Sequence, residues 1–102
     1  LGRGAVAVRK DARTVSLSWR YLSSDPMDTR FNLYRNGTKI NTVPVEKATY
    51  YEDAYTGTES ATYEIRPVVE GKETGRKNGT CVLPENAPMG YLSIPLNRRQ
   101  AE

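Results

Sequence analysis

Residues 14–20 read TVSLSWR, and the fold is legible from this stretch outward. Along an extended chain, successive side chains point to opposite faces. Val15, Leu17 and Trp19 therefore share one face, and Thr14, Ser16 and Ser18 share the other. A strand with one apolar and one hydroxyl-bearing face covers a core on one side and meets water on the other. The same period of two recurs in both directions along the chain, while helical spacing is nearly absent.

Upstream, GAVAVRK offers Val6 and Val8 on one face. Downstream, RFNLYRNGTKI puts Phe31 and Leu33 on one face. It then meets Asn36-Gly37, a pair that accepts the positive φ of a type I′ hairpin turn. Residues 39–43 are then the returning strand. ATYEIRPVVEG alternates Tyr63, Ile65, Pro67 and Val69 against Thr62, Glu64, Arg66 and Val68. Pro67 has no N–H for a ladder bond, which predicts an edge position or a bulge there. EGKETGRKNGTCVL reads as a turn and a last strand over residues 80–83. Residues 44–60 are polar and tyrosine-rich, with room for one or two short strands. SSDPMD, residues 23–28, is a loop, and PENAPMG, residues 84–90, is a linker-like stretch. About seven short strands with turn signals every ten residues or so predict an all-β fold, an antiparallel immunoglobulin-like β-sandwich. The predicted core is Val6, Val8, Val15, Leu17, Trp19, Phe31, Leu33, Tyr63, Ile65, Val69 and Val82.

Composition bounds the function. A chain of 102 residues, 37% hydrophobic, makes one domain with a modest core. Such a domain buries roughly 65% of its unfolded surface. Fifteen basic and twelve acidic residues leave a net charge of +3, scattered along the chain. That argues against nucleic acid as a partner. No apolar run reaches the length of a membrane span. The chain begins at Leu1 rather than Met, which suggests processing or excision from a longer chain. Cys81 is the single cysteine, so no internal disulfide forms; between a turn signal and two aliphatics it reads as a buried strand residue. There is no His, which removes the commonest general base, the Ser-His and Cys-His nucleophile pairs, and most zinc sites. Glu52 and Asp53 are adjacent, so on a strand they point to opposite faces and cannot easily share a calcium ion. Asp25 and Asp28 share that weakness. Asn36-Gly37-Thr38 and Asn78-Gly79-Thr80 fit the N-glycosylation pattern, but each coincides with an Asn-Gly turn that explains it without a glycan.

TVSLSWR, then FNLYRNGTKI, then ATYEIRPVVEGKETG resemble a fibronectin type III domain over residues 4–83. That family commonly carries a tryptophan like Trp19 in its second strand, and an aromatic-x-aliphatic step like Phe31-x-Leu33 in its third. Its sixth strand starts with a tyrosine matching Tyr63. The resemblance implies that the Tyr63 hydroxyl bonds to the backbone of the preceding corner. The chain departs from the family in having YTGTESATY where a Leu-x-Pro usually leads into the tyrosine strand, so this corner must be built differently.

The ends narrow the resemblance. LGRGAVAVRK, VSLSWRYLSSDPMDTRFNLYRNGTKIN and YLSIPLNRR together are similar to the start of the family 11 rhamnogalacturonan lyases. In those enzymes a small β-sandwich precedes a large β-propeller, which holds the calcium sites and the catalytic cleft. The resemblance implies a sandwich over residues 1–84, with residues 85–102 a linker and first strand of an absent catalytic propeller. Tyr91, Leu92, Ile94 and Leu96 would then be the interdomain contact. The competing reading makes them an extra strand on the sandwich. No catalytic, cofactor or metal residue carries over to this sequence; calcium would belong to the catalytic domain of the parent enzyme. The implied role is a noncatalytic structural domain of a secreted, periplasmic or cell-surface bacterial pectin lyase, with its own propeller as partner. Two alternatives stand beside it, a carbohydrate-binding module for acidic polysaccharide and a generic fibronectin-type protein-interaction domain. For the first, the candidate contacts are Tyr50, Tyr51 and Tyr55 with Arg35, and Lys39 and Lys47 nearby. Aromatic faces stack on sugar rings, and Arg pairs with carboxylates in bidentate fashion.

Overall fold

Val15, Leu17 and Trp19 do turn inward together, and all three are buried. The computed structural model describes residues 2–91 and the backbone of residues 94–95. Among these the strands are β1 (Val6–Asp11), β2 (Thr14–Ser18), β3 (Arg30–Arg35), β4 (Thr38–Lys39), β5 (Val45–Glu46), β6 (Tyr50–Asp53), β7 (Ala61–Val69), β8 (Lys72–Glu73), β9 (Gly79–Leu83) and β10 (Ile94–Pro95). Strands β4, β5, β8 and β10 are two-residue pieces. All pairings are antiparallel. One sheet runs β1-β2-β6; the other runs β10-β9-β7-β3-β4, with β5 beside β3 and β8 beside β7. The two sheets pack face to face as a β-sandwich.

The core lies between them. Val15 and Leu17 of β2 face Phe31 and Leu33 of β3, Tyr63 and Ile65 of β7, and Cys81 and Leu83 of β9. Trp19 meets the Phe31 ring edge-on at 5.5 Å. Aromatic pairs in that geometry gain about 0.5–1.5 kcal/mol beyond their area burial.

Three core expectations are corrected. On β1 the inward residues are Ala7 and Arg9, in phase with Ala5 just before the strand, while Val6 and Val8 are half-buried on the outer face. The reason is close approach. A Cβ added at Gly79 of β9 would stand 3.2 Å from the side chains of both Ala5 and Arg3. Where β1 crosses β9 there is room for alanine opposite glycine and none for valine. On β9 the buried residues are Gly79, Cys81 and Leu83, and Val82 faces out. Register decides this: Tyr63 pairs with Cys81 and Ile65 with Gly79, and cross-strand partners share a face. On β7, Val69 is half-buried beyond the rim, while Val68 is buried on the outer face between Arg30 and Glu73.

Pro67 sits in a central strand, not at an edge or bulge. Leu33 accepts from Ile40 N and donates to Asn41 Oδ1 at 2.8 Å, so the odd residues of β3 direct their backbone away from β7. Phe31 and Pro67 are therefore a pair without hydrogen bonds between them. The Pro67 nitrogen points instead to the gap between the end of β8 and the start of β9, where the Pro67 carbonyl accepts from Thr74 N at 3.0 Å. The Asn36-Gly37 turn is as expected, with φ of 49° and 85°. The returning strand is shorter than expected, because the buried Asn41 side chain takes the Leu33 N–H that a longer strand would have bonded.

Truncating Trp19 to Ala should cost about 3–5 kcal/mol, the usual range for a buried large aromatic. Paired urea melts measure it; a loss below about 1 kcal/mol would place Trp19 outside the core.

Candidate functional site

Both ends of the sandwich are closed by arginines. At the corner before β7, the Asp53 carboxylate is buried at the end of β6. Its Oδ2 accepts from the Tyr63 hydroxyl at 2.6 Å and from the Arg35 guanidinium at 2.5 Å. The Tyr63 hydroxyl thus bonds to a carboxylate rather than to the corner backbone that the resemblance implied. Burial, reinforced by the Asp53 bond, pushes the Tyr63 hydroxyl above the ordinary tyrosine range and keeps it a donor. Arg9, also buried, donates to Tyr55 O at 2.5 Å and Gly57 O at 2.8 Å. The Tyr55 ring packs against both guanidiniums, 4.5 Å from Arg35 and 5.4 Å from Arg9. This is how the corner is built without a Leu-x-Pro.

The four residues expected to contact sugar do not form one surface. Tyr55 and Arg35 are together but engaged with each other and with Asp53. Tyr50 and Tyr51 are adjacent on β6 and point to opposite faces. The Tyr51 hydroxyl donates to Ile40 O at 3.1 Å, and its ring packs on the core. Tyr50 is half exposed on the outer face of the small sheet, where its hydroxyl donates to Glu52 at 2.6 Å. Lys10 pairs with the same carboxylate at 2.7 Å. Glu52 and Asp53 do point to opposite faces of the strand. Of the expected interdomain residues, Tyr91 is half-buried and its N–H bonds to Pro88 O. The backbone of Ile94 pairs with Val82. Leu92, Leu96 and the Ile94 side chain lie outside the described residues.

At the opposite end, Arg3 is fully buried beneath the loop of residues 20–26. It makes a bidentate pair with Asp25 at 2.7 and 2.8 Å, donates to Lys77 O and Arg20 O, and stacks over Phe31 at 5.0 Å. The bonded Arg3 guanidinium holds the Asp25 carboxyl below the ordinary carboxylate range, against the opposing effect of burial. Beside this pair a cleft of about 360 Å³ opens between residues 24–26 and 74–77. The outer face of the large sheet carries a third cluster. Arg66 stacks on Tyr34 at 3.8 Å and bonds to Glu64 and Glu73, and Glu73 also accepts from Tyr34 and Asn32. The Tyr34 hydroxyl bond is the largest effect holding the Glu73 carboxyl below its usual range. Sequence reading missed Arg3, Arg9 and this cluster. One signal was available: Arg3, Ala5, Ala7 and Arg9 share one phase, and small residues in an inward phase mark close approach.

Two sheets in face-to-face contact, with buried arginines closing both ends, define an antiparallel β-sandwich module. The family described as the rhamnogalacturonan I lyases beta-sheet domain matches residues 1–83, and the chain belongs to that family. It is 38% identical over 98 residues to rhamnogalacturonan endolyase YesW of Bacillus subtilis (strain 168), covering 96% of this chain. It is 34% identical over 96 residues to rhamnogalacturonan exolyase YesX of the same organism, covering 94%. The chain spans 15% of the length of each relative. No solved structure matches it at a significant level.

Replacing Asp25 with Asn at neutral pH should cost about 3 kcal/mol, because it leaves a buried guanidinium without its counter-charge. The pH dependence has a definite sign. The folded-state pKa of Asp25 lies below its ordinary 3.8, so the pair stabilises above that value and is lost as pH falls through the folded pKa. Urea melts at pH 7 and pH 2.5 should therefore show the gap between parent and Asp25→Asn narrowing in acid. A gap that stays constant would deny the pair its role.

Proposed function

We propose that this chain is a noncatalytic accessory domain of a rhamnogalacturonan lyase, a brace against which the catalytic part of the parent enzyme packs. One observation carries the reading. The two relatives are named for opposite cleavage modes, endo and exo, yet both match nearly the whole of this chain at similar identity. A segment common to both modes is not what decides where the polysaccharide is cut. The internal charges agree with a brace. Arg3 and Arg35 are engaged with buried carboxylates and Arg9 with backbone carbonyls, while Arg66 is paired with Glu64 and Glu73 on the outer face of the large sheet. The catalytic cleft, a calcium requirement and the propeller partner then belong to the remaining length of the parent. A secreted, periplasmic or cell-surface location in a bacterium accords with the bacterial source of both relatives and with a polysaccharide substrate outside the cell.

A chimera tests this. The matched segment of the endolyase is exchanged for this chain, and products from rhamnogalacturonan are sized over time. The expected outcome is an unchanged endo pattern with kcat within about twofold of the parent. An exo pattern, or a folded chimera with kcat reduced a hundredfold, contradicts the accessory reading. So does lyase activity by this chain alone, seen as ultraviolet absorbance of an unsaturated uronate product.

A further inference from the structure

The cleft beside the Arg3–Asp25 pair has a chemistry of its own. Its floor is apolar, formed by Pro26, Pro67 and Val69. Its charges do not cancel. Arg3 and Asp25 neutralise one another at the back, leaving Arg76 and Lys77 on one wall. Among the described residues neither has an acidic group within ion-pair distance. The Lys77 ammonium donates to Ser24 Oγ at 2.7 Å and so spans the mouth. The Arg76 guanidinium is exposed, with no hydrogen-bond partner among the described residues.

Both walls are fixed. The loop carrying the cations is pinned where Lys77 O accepts from Arg3 Nε at 2.6 Å. It is pinned again where Thr74 Oγ1 donates to Arg76 O and accepts from Arg76 N. The facing wall is held by Asp25, whose Oδ2 accepts from Leu22 N as well as from Arg3. The cleft carries three cations against the single carboxylate of Asp25, over an apolar floor, and a backbone frame ordered in advance lowers the ordering cost of binding.

We propose that this cleft binds a carboxylated sugar, a uronate residue whose ring lies on Pro26, Pro67 and Val69 and whose carboxylate meets Arg76 and Lys77. A neutral sugar leaves the cations unused, and a small inorganic anion leaves the floor unused. The cleft volume, about 360 Å³, is at the small end of ligand pockets and suits one or two sugar rings. The choice of uronate as the anion rests on the accessory reading above; the need for a negative charge does not.

The test is titration of the 102-residue chain with trigalacturonate, followed by amide chemical shifts. The neutral galactose trisaccharide and sodium sulfate serve as comparisons. Expected are saturable shifts confined to the amides of residues 24–25, 68–69 and 74–77, with a dissociation constant of about 1 mM or tighter. Arg76→Gln and Lys77→Gln should each weaken binding at least about fivefold, the loss of one charge-assisted contact. Arg13→Gln, an exposed cation elsewhere, should not. Absence of shifts, shifts on another surface, or full affinity in Arg76→Gln overturns the proposal. Equal response to sulfate or to the neutral sugar also overturns it. Both Gln variants change exposed side chains, and their amide spectra report folding directly. These variants are read on sugar binding and the chimera on cleavage pattern, so either idea can fail alone.

Discussion

Asp53 is the hinge-pin of the molecule. It belongs to the small sheet, and the two groups that bond to its Oδ2, Arg35 and Tyr63, belong to the large one. A carboxylate with only 6% of its side chain exposed is costly to desolvate unless its lone pairs are met. Two donors on one oxygen meet that need, and both must come from the opposing sheet. The requirement fixes which face of β6 turns inward and hence the register of β6 on β2. It also fixes the height at which Tyr63 enters the core. The hydrophobic contacts below it supply most of the stability, but they are less directional. Leu17 would accept several neighbours; Asp53 accepts these two.

The corner follows from the same centre. Arg35, drawn to Asp53, offers a flat cation to the Tyr55 ring, and Arg9 closes on the other contact while holding the carbonyls of Tyr55 and Gly57. The corner is thus bonded to the first strand as well as to the sheets. The opposite end repeats the device with Arg3 and Asp25, which tie the N-terminal segment to the loops of residues 20–26 and 74–77. A small sandwich with polar bonds at both ends resists shear between its sheets. That property suits the proposed brace, and it also holds apart the walls of the cleft beside Arg3 and Asp25.

Much of this was readable beforehand where one face is wet. TVSLSWR, Phe31-x-Leu33 and Tyr63-x-Ile65 gave the correct faces because alternation is unambiguous when the outward residues are polar. Val6, Val8 and Val82 misled because both faces of β1 and β9 carry small or apolar side chains, and periodicity alone cannot choose between them. Close approach of Gly79 to Ala5 made the choice on the first strand, and register of Cys81 with Tyr63 made it on β9. Buried arginines were legible only through the phase that Arg3 and Arg9 share with Ala5 and Ala7. An arginine in a strand is ordinarily solvated, and only the three-dimensional arrival of Asp25 or of the corner carbonyls makes an interior place for it. The tyrosines of residues 50–55 looked like a sugar platform because sequence neighbours look like spatial neighbours. A strand sends Tyr50 and Tyr51 to opposite sides.

The most direct test of the Asp53 account is a double-mutant cycle of Asp53→Asn and Tyr63→Phe, measured by urea unfolding at neutral pH. If the two groups act as one inter-sheet bond, the double variant loses less than the sum of the singles, with a coupling of about 1–2 kcal/mol. Losses that add to within about 0.5 kcal/mol would mean the two side chains stabilise the fold independently, and that Asp53 does not join the sheets.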